Sequence, residues 1–350
     1  MSREGGEYRE DPLTGGWVIL APERGSRPSD FPQSRSDRRT LPTHDENCPF
    51  CPGNEGSLTP IHDELAAIAA GAHQGPGQGA AWQVRAVANK YPAVRPRTGA
   101  VLEKEGDGPG RCMDGHGFHE VIVEHPRHDM MFQDMGAGEA EAAARMWRRR
   151  YVDLLAREGV ESVVLFRNHG PGAGTSLLHP HSQIVATAVV PPLSERHRAA
   201  AQKHYEAQGV CLLCDYLRRE ERTGERVVFA TDHFLVAAPY APDGRCELLI
   251  LPRGHAPDIV SLTEEQSADL ARVLVRMYGV LDSALTDPDS NLVFHTAPRR
   301  HRKEPFSHWY ARLRPRMGTP AGFELGSGVS IASSLPEEDA AELRTHVPTP

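Results

Sequence analysis

Apolar residues fall along this chain in short runs separated by polar turns, and the same succession of runs occurs twice. In the first part, Trp82 to Ala88, Glu120 to Glu124 and Ser162 to Phe166 have the length and composition of β-strands. A stretch from about Glu139 to Leu155 between the last two has helical character. In the second part, Arg226 to Ala230, Glu247 to Leu251 and Asn291 to Phe294 read as strands. The helix between the last two is better marked. Thr263 and Gln266 form a capping box, in which each side chain satisfies an amide at the helix start. Leu270, Val273, Leu274, Met277 and Leu281 then recur at helical spacing. A repeated order of elements predicts a duplicated fold. Short strands with one main helix per copy predict an α+β class rather than a doubly wound sheet. The copies are expected at residues 1–190 and 211–350, with a polar, helical linker over 191–210. The first 30 residues and the last 20 lie outside the repeat.

Composition narrows the class. The chain has 350 residues, 39% hydrophobic and 25% charged, as in ordinary globular proteins. Its formal net charge of −8 argues against a general nucleic-acid binder. No window approaches 18 uninterrupted apolar residues, so no transmembrane helix is expected. The opening Met1 to Glu7 has no apolar core of a signal peptide. A cytoplasmic location follows as the default expectation, with cysteines kept reduced.

Four of the six cysteines form Cys-x-x-Cys pairs, one at the head of each copy. Histidines follow at matching distances. His128 and His179 are 51 residues apart, His255 and His308 are 53 apart. Thiolates and imidazoles suit zinc, and four protein ligands make a closed structural site. Two Zn2+ sites are therefore expected, Cys48, Cys51, His128 and His179 in the first copy and Cys211, Cys214, His255 and His308 in the second. A thioredoxin-like redox role fits less well, because the flanks do not read strand, Cys-x-x-Cys, helix.

Between the strand ending at Phe166 and His179 lies a glycine-rich turn, Asn168 to Ser176. Gly170, Gly172 and Gly174 would let backbone amides approach an anion, and Thr175 and Ser176 add hydroxyls. In His179-Pro180-His181 the two histidines alternate, so they share a face of an extended chain. One can bind metal while His181 serves as nucleophile, since a neutral imidazole is competent at pH 7. Gln183 shares that face. Its amide can hydrogen-bond a phosphoryl oxygen but cannot act as a general base for water, which favours transfer over hydrolysis. In the second copy Tyr310 stands where His181 would be, and no glycine turn precedes His308. The basic run Arg299, Arg300, Arg302 and Lys303 before it reads as a solvated loop or a phosphate contact.

At these residues the chain resembles the galactose-1-phosphate uridylyltransferase family of the histidine triad superfamily, over nearly its whole length. The densest likeness runs from Asn168 to Gln183. Arg9 to Val18 and Pro22 to Pro28 resemble the family's opening. The resemblance implies two tandem histidine-triad-like domains, the second degenerate. It implies that His181 carries a nucleoside monophosphate covalently. It places Asn168, Thr175, Ser176 and Gln183 on phosphate, and Asn89 and Lys90 on the nucleoside. Arg24 and Arg27 match positions that reach nucleotide phosphates across a homodimer. The substrates implied are a nucleotide sugar and a sugar 1-phosphate, as in a UDP-glucose–hexose-1-phosphate uridylyltransferase. The segment Gly322 to Gly328, Ser182 and the second Cys-x-x-Cys pair resemble a branch containing plant-type ADP-glucose phosphorylase, which makes a nucleotide-sugar phosphorylase the alternative. A zinc-stabilised nucleotide-binding module without turnover is the alternative from another class.

Overall fold

The structure, a computed structural model, describes residues 6–26, 40–66, 82–97, 103–105 and 108–348. Arg27 lies outside the described residues. β1 (Glu7–Glu10) and β2 (Trp17–Leu20) open the chain. The first half then supplies β3 (Ile61–Ala66), β4 (Trp82–Ala88), a detached hairpin of β5 (Glu103–Glu105) and β6 (Arg111–Met113), and β7 (Gly117–Val123). Helix α1 (Ala137–Ala156), β8 (Ser162–His169) and β9 (His181–Thr187) complete it. The linker is helix α2 (Pro192–Gln208). The second half runs α3 (Leu212–Thr223), β10 (Val227–Ala230), β11 (Phe234–Ala237), β12 (Leu248–Pro252), α4 (Glu264–Leu285), β13 (Ser290–His295) and β14 (Tyr310–Pro315). α5 (Gly322–Ser327), β15 (Ser330–Ala332) and α6 (Pro336–Thr345) follow.

The class is α+β, and the duplication is visible in the topology. One ten-stranded antiparallel sheet has the order β3-β4-β7-β9-β8-β13-β14-β12-β11-β10. Read inward from either edge, each half places its strands in the same succession, and the two meet where β8 pairs with β13. The halves therefore share one continuous sheet. β1 and β2 join β15 in a small sheet of their own, so the chain's opening packs with its end.

Alternation along the strands sorts the two faces of the sheet. Val84, Ala86, Ile122, Leu165 and Ile184 face α1, while Val236, Leu248, Ile250, Leu292 and Leu313 join the same core under α4. The capping box at Thr263 and Gln266 is formed as the sequence predicts. On the opposite face, Cys48, Phe50, Cys51, Trp82, Val121 and Val123 cluster in the first half. The matching face of the second half holds Cys211, Leu235, Leu249, Leu251 and Tyr310, covered by α3. Both Cys-x-x-Cys sets thus sit on the face away from the long helices. No helix among the described residues is long and apolar enough to cross a membrane.

Candidate active site and metal centres

β9 begins at His181 and carries Ser182 and Gln183 next. Ser182 points into the helix layer, where its hydroxyl accepts the indole N–H of the buried Trp147 at 2.6 Å. His181 and Gln183 therefore point to the opposite face, where the Cys-x-x-Cys pair lies. His181 is 7% exposed. Its Nδ1 lies 2.8 Å from the backbone oxygen of His179. A carbonyl only accepts, so Nδ1 carries the proton and Nε2 keeps the lone pair. Burial, helped by the Arg167 charge, lowers the imidazole to about 4, while the hydrogen bond to the His179 carbonyl opposes the shift. The ring is neutral at pH 7.

Gln183 is held in a definite sense. The Ala93 N–H donates to His119 Nδ1 at 3.1 Å, so His119 Nε2 bears the proton and donates to Gln183 Oε1 at 2.8 Å. Asn89 Nδ2 lies between the two, 3.0 Å from His119 Nε2 and 3.5 Å from Gln183 Oε1. With its oxygen taken, Gln183 has an amide NH2 to offer. Asn89, expected on the nucleoside, lies beside Gln183. His119 was not anticipated, although its alternation with Val121 and Val123 on β7 would have put it on the right face. Lys90 is exposed at the end of β4.

The glycine turn differs from the open row of amides expected. Ala173 N–H donates to Gly170, Gly174 N–H to Pro171 and Thr175 N–H to Gly170, forming a closed turn. The Gly172 amide binds the Asp289 carboxylate at 2.5 Å, and the Thr175 hydroxyl donates to the Leu177 carbonyl at 2.9 Å. Gly170 and Gly174 have φ of 85° and 87°, which side chains with a β-carbon rarely adopt. The turn is thus a rigid shelf in which the amides of Gly172, Ala173, Gly174 and Thr175 are already satisfied. Side chains such as Asn168 and Ser176 are what it offers to a phosphoryl group. Together with Arg167, Asn168, Gly170, Thr175 and Met131, His181 lines a pocket of about 20 Å3. Arg24 does not line this pocket. It sits on an exposed turn at the small sheet, near Glu324.

The first metal-ligating set is assembled as predicted. Cys48, Cys51, His128 and His179 are all buried, with their donor atoms within 4.8 Å of one another. Cys48 Sγ to His179 Nδ1 is 3.7 Å, and Cys51 Sγ to His128 and His179 Nδ1 is 3.6 Å in both cases. Tetrahedral zinc with ordinary bond lengths separates sulfur and nitrogen ligands by about 3.5 Å, so the donor set fits. His179 Nε2 donates to the His125 carbonyl at 2.8 Å, which fixes the ring with Nδ1 inward. The second set, Cys211, Cys214, His255 and His308, is as compact, with sulfur–nitrogen distances of 3.4 to 3.7 Å.

In the second half the site next to the metal set is closed. Tyr310 occupies the first position of β14, and its hydroxyl lies 3.1 Å from His197 Nε2 of α2. His295 stacks on Tyr310 with ring centroids 4.7 Å apart. These rings border a cavity of about 50 Å3. The basic run is structural. Arg299 binds the carbonyls of Arg157 and Val160, Arg300 pairs with Glu195, and Arg302 pairs with Asp258.

Comparison with known proteins agrees with this arrangement. Residues 74–191 match the sequence profile of the galactose-1-phosphate uridyl transferase N-terminal domain, and residues 198–314 match that of its C-terminal domain. The chain is 31% identical to ADP-glucose phosphorylase of Arabidopsis thaliana, over 97% of this chain and 92% of the relative. It is 29% identical to a galactose-1-phosphate uridylyltransferase of Thermotoga maritima, over 97% and 98%. A crystal structure of the Arabidopsis ADP-glucose phosphorylase with bound ADP-glucose superposes with a TM-score of 0.80 at 28% identity, covering 99% of this chain and all of that one.

Proposed function

Because the chain belongs to the galactose-1-phosphate uridyl transferase family, we propose that it transfers a nucleoside monophosphate between a nucleotide sugar and a sugar 1-phosphate through a covalent bond to His181. The observation that carries this reading is the state of His181: buried, neutral, and proton-bearing on Nδ1 so that Nε2 is the nucleophile. Nε2 attacks the α-phosphorus. An N–P bond forms, the bond from phosphorus to the bridging oxygen breaks, and its electron pair leaves with the sugar 1-phosphate. The imidazolium charge so created is stabilised by the Nδ1–H bond to the His179 carbonyl. A phosphate oxygen of the second substrate then attacks and returns His181 to its starting state. No proton has to be removed from either substrate, which suits a site where Gln183 stands in place of a general base. Gln183, Asn168 and Ser176 hold the phosphoryl oxygens, where donors aimed at developing charge are worth most, and Thr175 takes its place at the phosphate once its hydroxyl turns from the Leu177 carbonyl. Gly174 shapes their turn, and Asn89 and Lys90 meet the nucleoside.

The reading that most of the family favours is a UDP-glucose–hexose-1-phosphate uridylyltransferase of galactose metabolism. A second is favoured by a specific observation, the 31% identity and the TM-score of 0.80 to ADP-glucose phosphorylase. There inorganic phosphate takes the place of the second sugar phosphate. Both share the His181 step. Zinc bound by each Cys2His2 set is structural, with no open position for water. In the first half it fixes His179, whose carbonyl in turn orients His181. The protein acts as a cytoplasmic homodimer, in which Arg24 and Arg27 of each chain complete the other chain's site.

Intact-mass measurement after incubation with UDP-glucose or ADP-glucose tests this. A gain of one uridylyl or adenylyl group, reversed by glucose 1-phosphate or phosphate, is the expected result and identifies the base. No gain with either donor, in a zinc-loaded protein, refutes covalent transfer.

A further inference from the structure

The half without a nucleophile reaches into the half that has one. Where β8 meets β13, Asn168 and Asn291 stand directly opposite each other. Asn291 Nδ2 lies 2.9 Å from the backbone oxygen of Ala173 and 2.9 Å from Asn168 Oδ1. The backbone contact fixes the assignment, since a carbonyl accepts only and the Asn291 atom facing it must be nitrogen. That nitrogen has two hydrogens, and both are used. The Asn168 atom facing it must be oxygen, so Asn168 Nδ2 is turned the other way. It lies 4.0 Å from where a β-carbon on Gly174 would sit, against the floor of the glycine turn. Two neighbours on the same segment hold the turn as well. Asp287, at φ 49°, binds His169 Nε2 at 2.6 Å, and Asp289 binds the Gly172 amide.

We propose that Asn291 is a positioning residue that sets the amide sense of Asn168, so that Asn168 meets a phosphoryl oxygen with N–H and never with C=O. This rests on the proposed role of Asn168 at the phosphate. It gives the second half a task in the reaction other than fold and metal. Asp287 and Asp289 fix where the turn lies, and Asn291 fixes what it presents.

Two substitutions separate this from a packing role. Asn291→Asp keeps the size of the side chain but has no donor, so Asn168 would rotate to give its NH2 to the new carboxylate and show its oxygen to the phosphate. Asn291→Ala leaves a gap but lets Asn168 adopt either sense. A residue needed only to fill space predicts that Ala is the more damaging. Amide orientation predicts the reverse. Loss of the Ala173 tie and the added charge of Asp are read separately, as a lower melting temperature and as an equal weakening of inorganic sulfate binding. Zinc content and melting temperature are measured first, and Asn291→Ser, which restores one donor, serves if either variant does not fold. The rate of nucleotide attachment and the affinity for UMP and AMP, measured by calorimetry, are then compared. Losing one donor to a phosphoryl oxygen costs about 100-fold or more in rate, and that loss is expected for Asp; about 10-fold is expected for Ala, with Ser between Ala and wild type. Equal losses, or a larger loss for Ala than for Asp, overturn the proposal. The affinity arm keeps this separate from the covalent mechanism. If no protein, wild type included, takes up a covalent nucleotide but Asp still weakens monophosphate binding more than Ala, covalent transfer falls and the role of Asn291 stands.

Discussion

The two halves of this chain have the same five-strand order, the same main helix and the same Cys2His2 set, yet the strand that is headed by His181 in one is headed by Tyr310 in the other. The difference lies in a few positions. His181 and Gln183 in β9 correspond to Tyr310 and Arg312 in β14. Continuing the strand register, Asn168 stands across from His181, as His295 stands across from Tyr310. The first half has a glycine shelf before its metal histidine. The second has the basic run, whose Arg299 binds backbone carbonyls and whose Arg300 and Arg302 are held in ion pairs. On the face that carries the Cys2His2 sets, the second half is covered by α3 and by His197 from α2. Fold and metal geometry can therefore be inherited without catalysis. What sets the first half apart is a buried neutral imidazole beside a rigid glycine turn.

The contrast can be broken in graded ways. The largest effect is expected from His181→Gly, which should lower turnover on the order of 10^4-fold or more, as loss of a nucleophile does, with zinc content near wild type. Turnover close to wild type in that protein would move the chemistry elsewhere, with His169 the next nucleophile to examine. Next come the metal sets. Cys48→Ser should release one metal ion of two and slow nucleotide attachment by about 10- to 100-fold, because His179 then orients His181 less firmly. Cys211→Ser should release one ion and lower the melting temperature while leaving attachment close to wild type. Elemental analysis beside single-turnover assays reads both, and equal effects on attachment would contradict the assigned asymmetry. Tyr310→His restores a histidine to the second half but no glycine turn and no open face. It should acquire no covalent nucleotide, and it should lose about 1 kcal/mol of stability with the Tyr310–His197 hydrogen bond. Double labelling would show that the histidine alone suffices.

The smallest effect is a pH dependence. Burial, with Arg312 and Arg196, holds His197 at about 4, and burial also keeps His295 well below its ordinary value. Both are neutral in the folded protein where an unfolded histidine would take up a proton. The unfolded chain therefore binds more protons between about pH 6.5 and pH 4. The stabilisation is present above that window and is lost as pH falls through it. Melting temperature should drop from pH 7 to pH 5, and drop less steeply in His197→Gln. Parallel slopes in the two proteins would remove His197 from the account.

Much of this was legible in the sequence, and the reason differs by feature. Strands such as Trp82–Ala88 and the capped helix α4 are written in local patterns, as are the paired cysteines and histidines. The metal sets follow because four ligands with matched spacing have few alternatives. Other features depend on pairing that no local pattern records. The meeting of β8 with β13, which brings Asn291 to Asn168, joins residues 123 positions apart. α3 was not anticipated, since Cys211-Leu212-Leu213-Cys214 reads as a metal knuckle before it reads as a helix start. The glycine turn was read as an open anion nest because glycines permit one. Asp289 and the turn's own carbonyls take up those amides instead.

The central claim, that one of two equivalent strand positions carries the nucleotide, is tested most directly by locating the attachment. Protein incubated with UDP-glucose or ADP-glucose is digested at alkaline pH, which spares an acid-labile N–P bond, and the peptides are sequenced by mass spectrometry. The account predicts a single modified residue, His181, with the peptide containing Tyr310 unmodified. A nucleotide on any other residue, or on peptides from both halves, would contradict it.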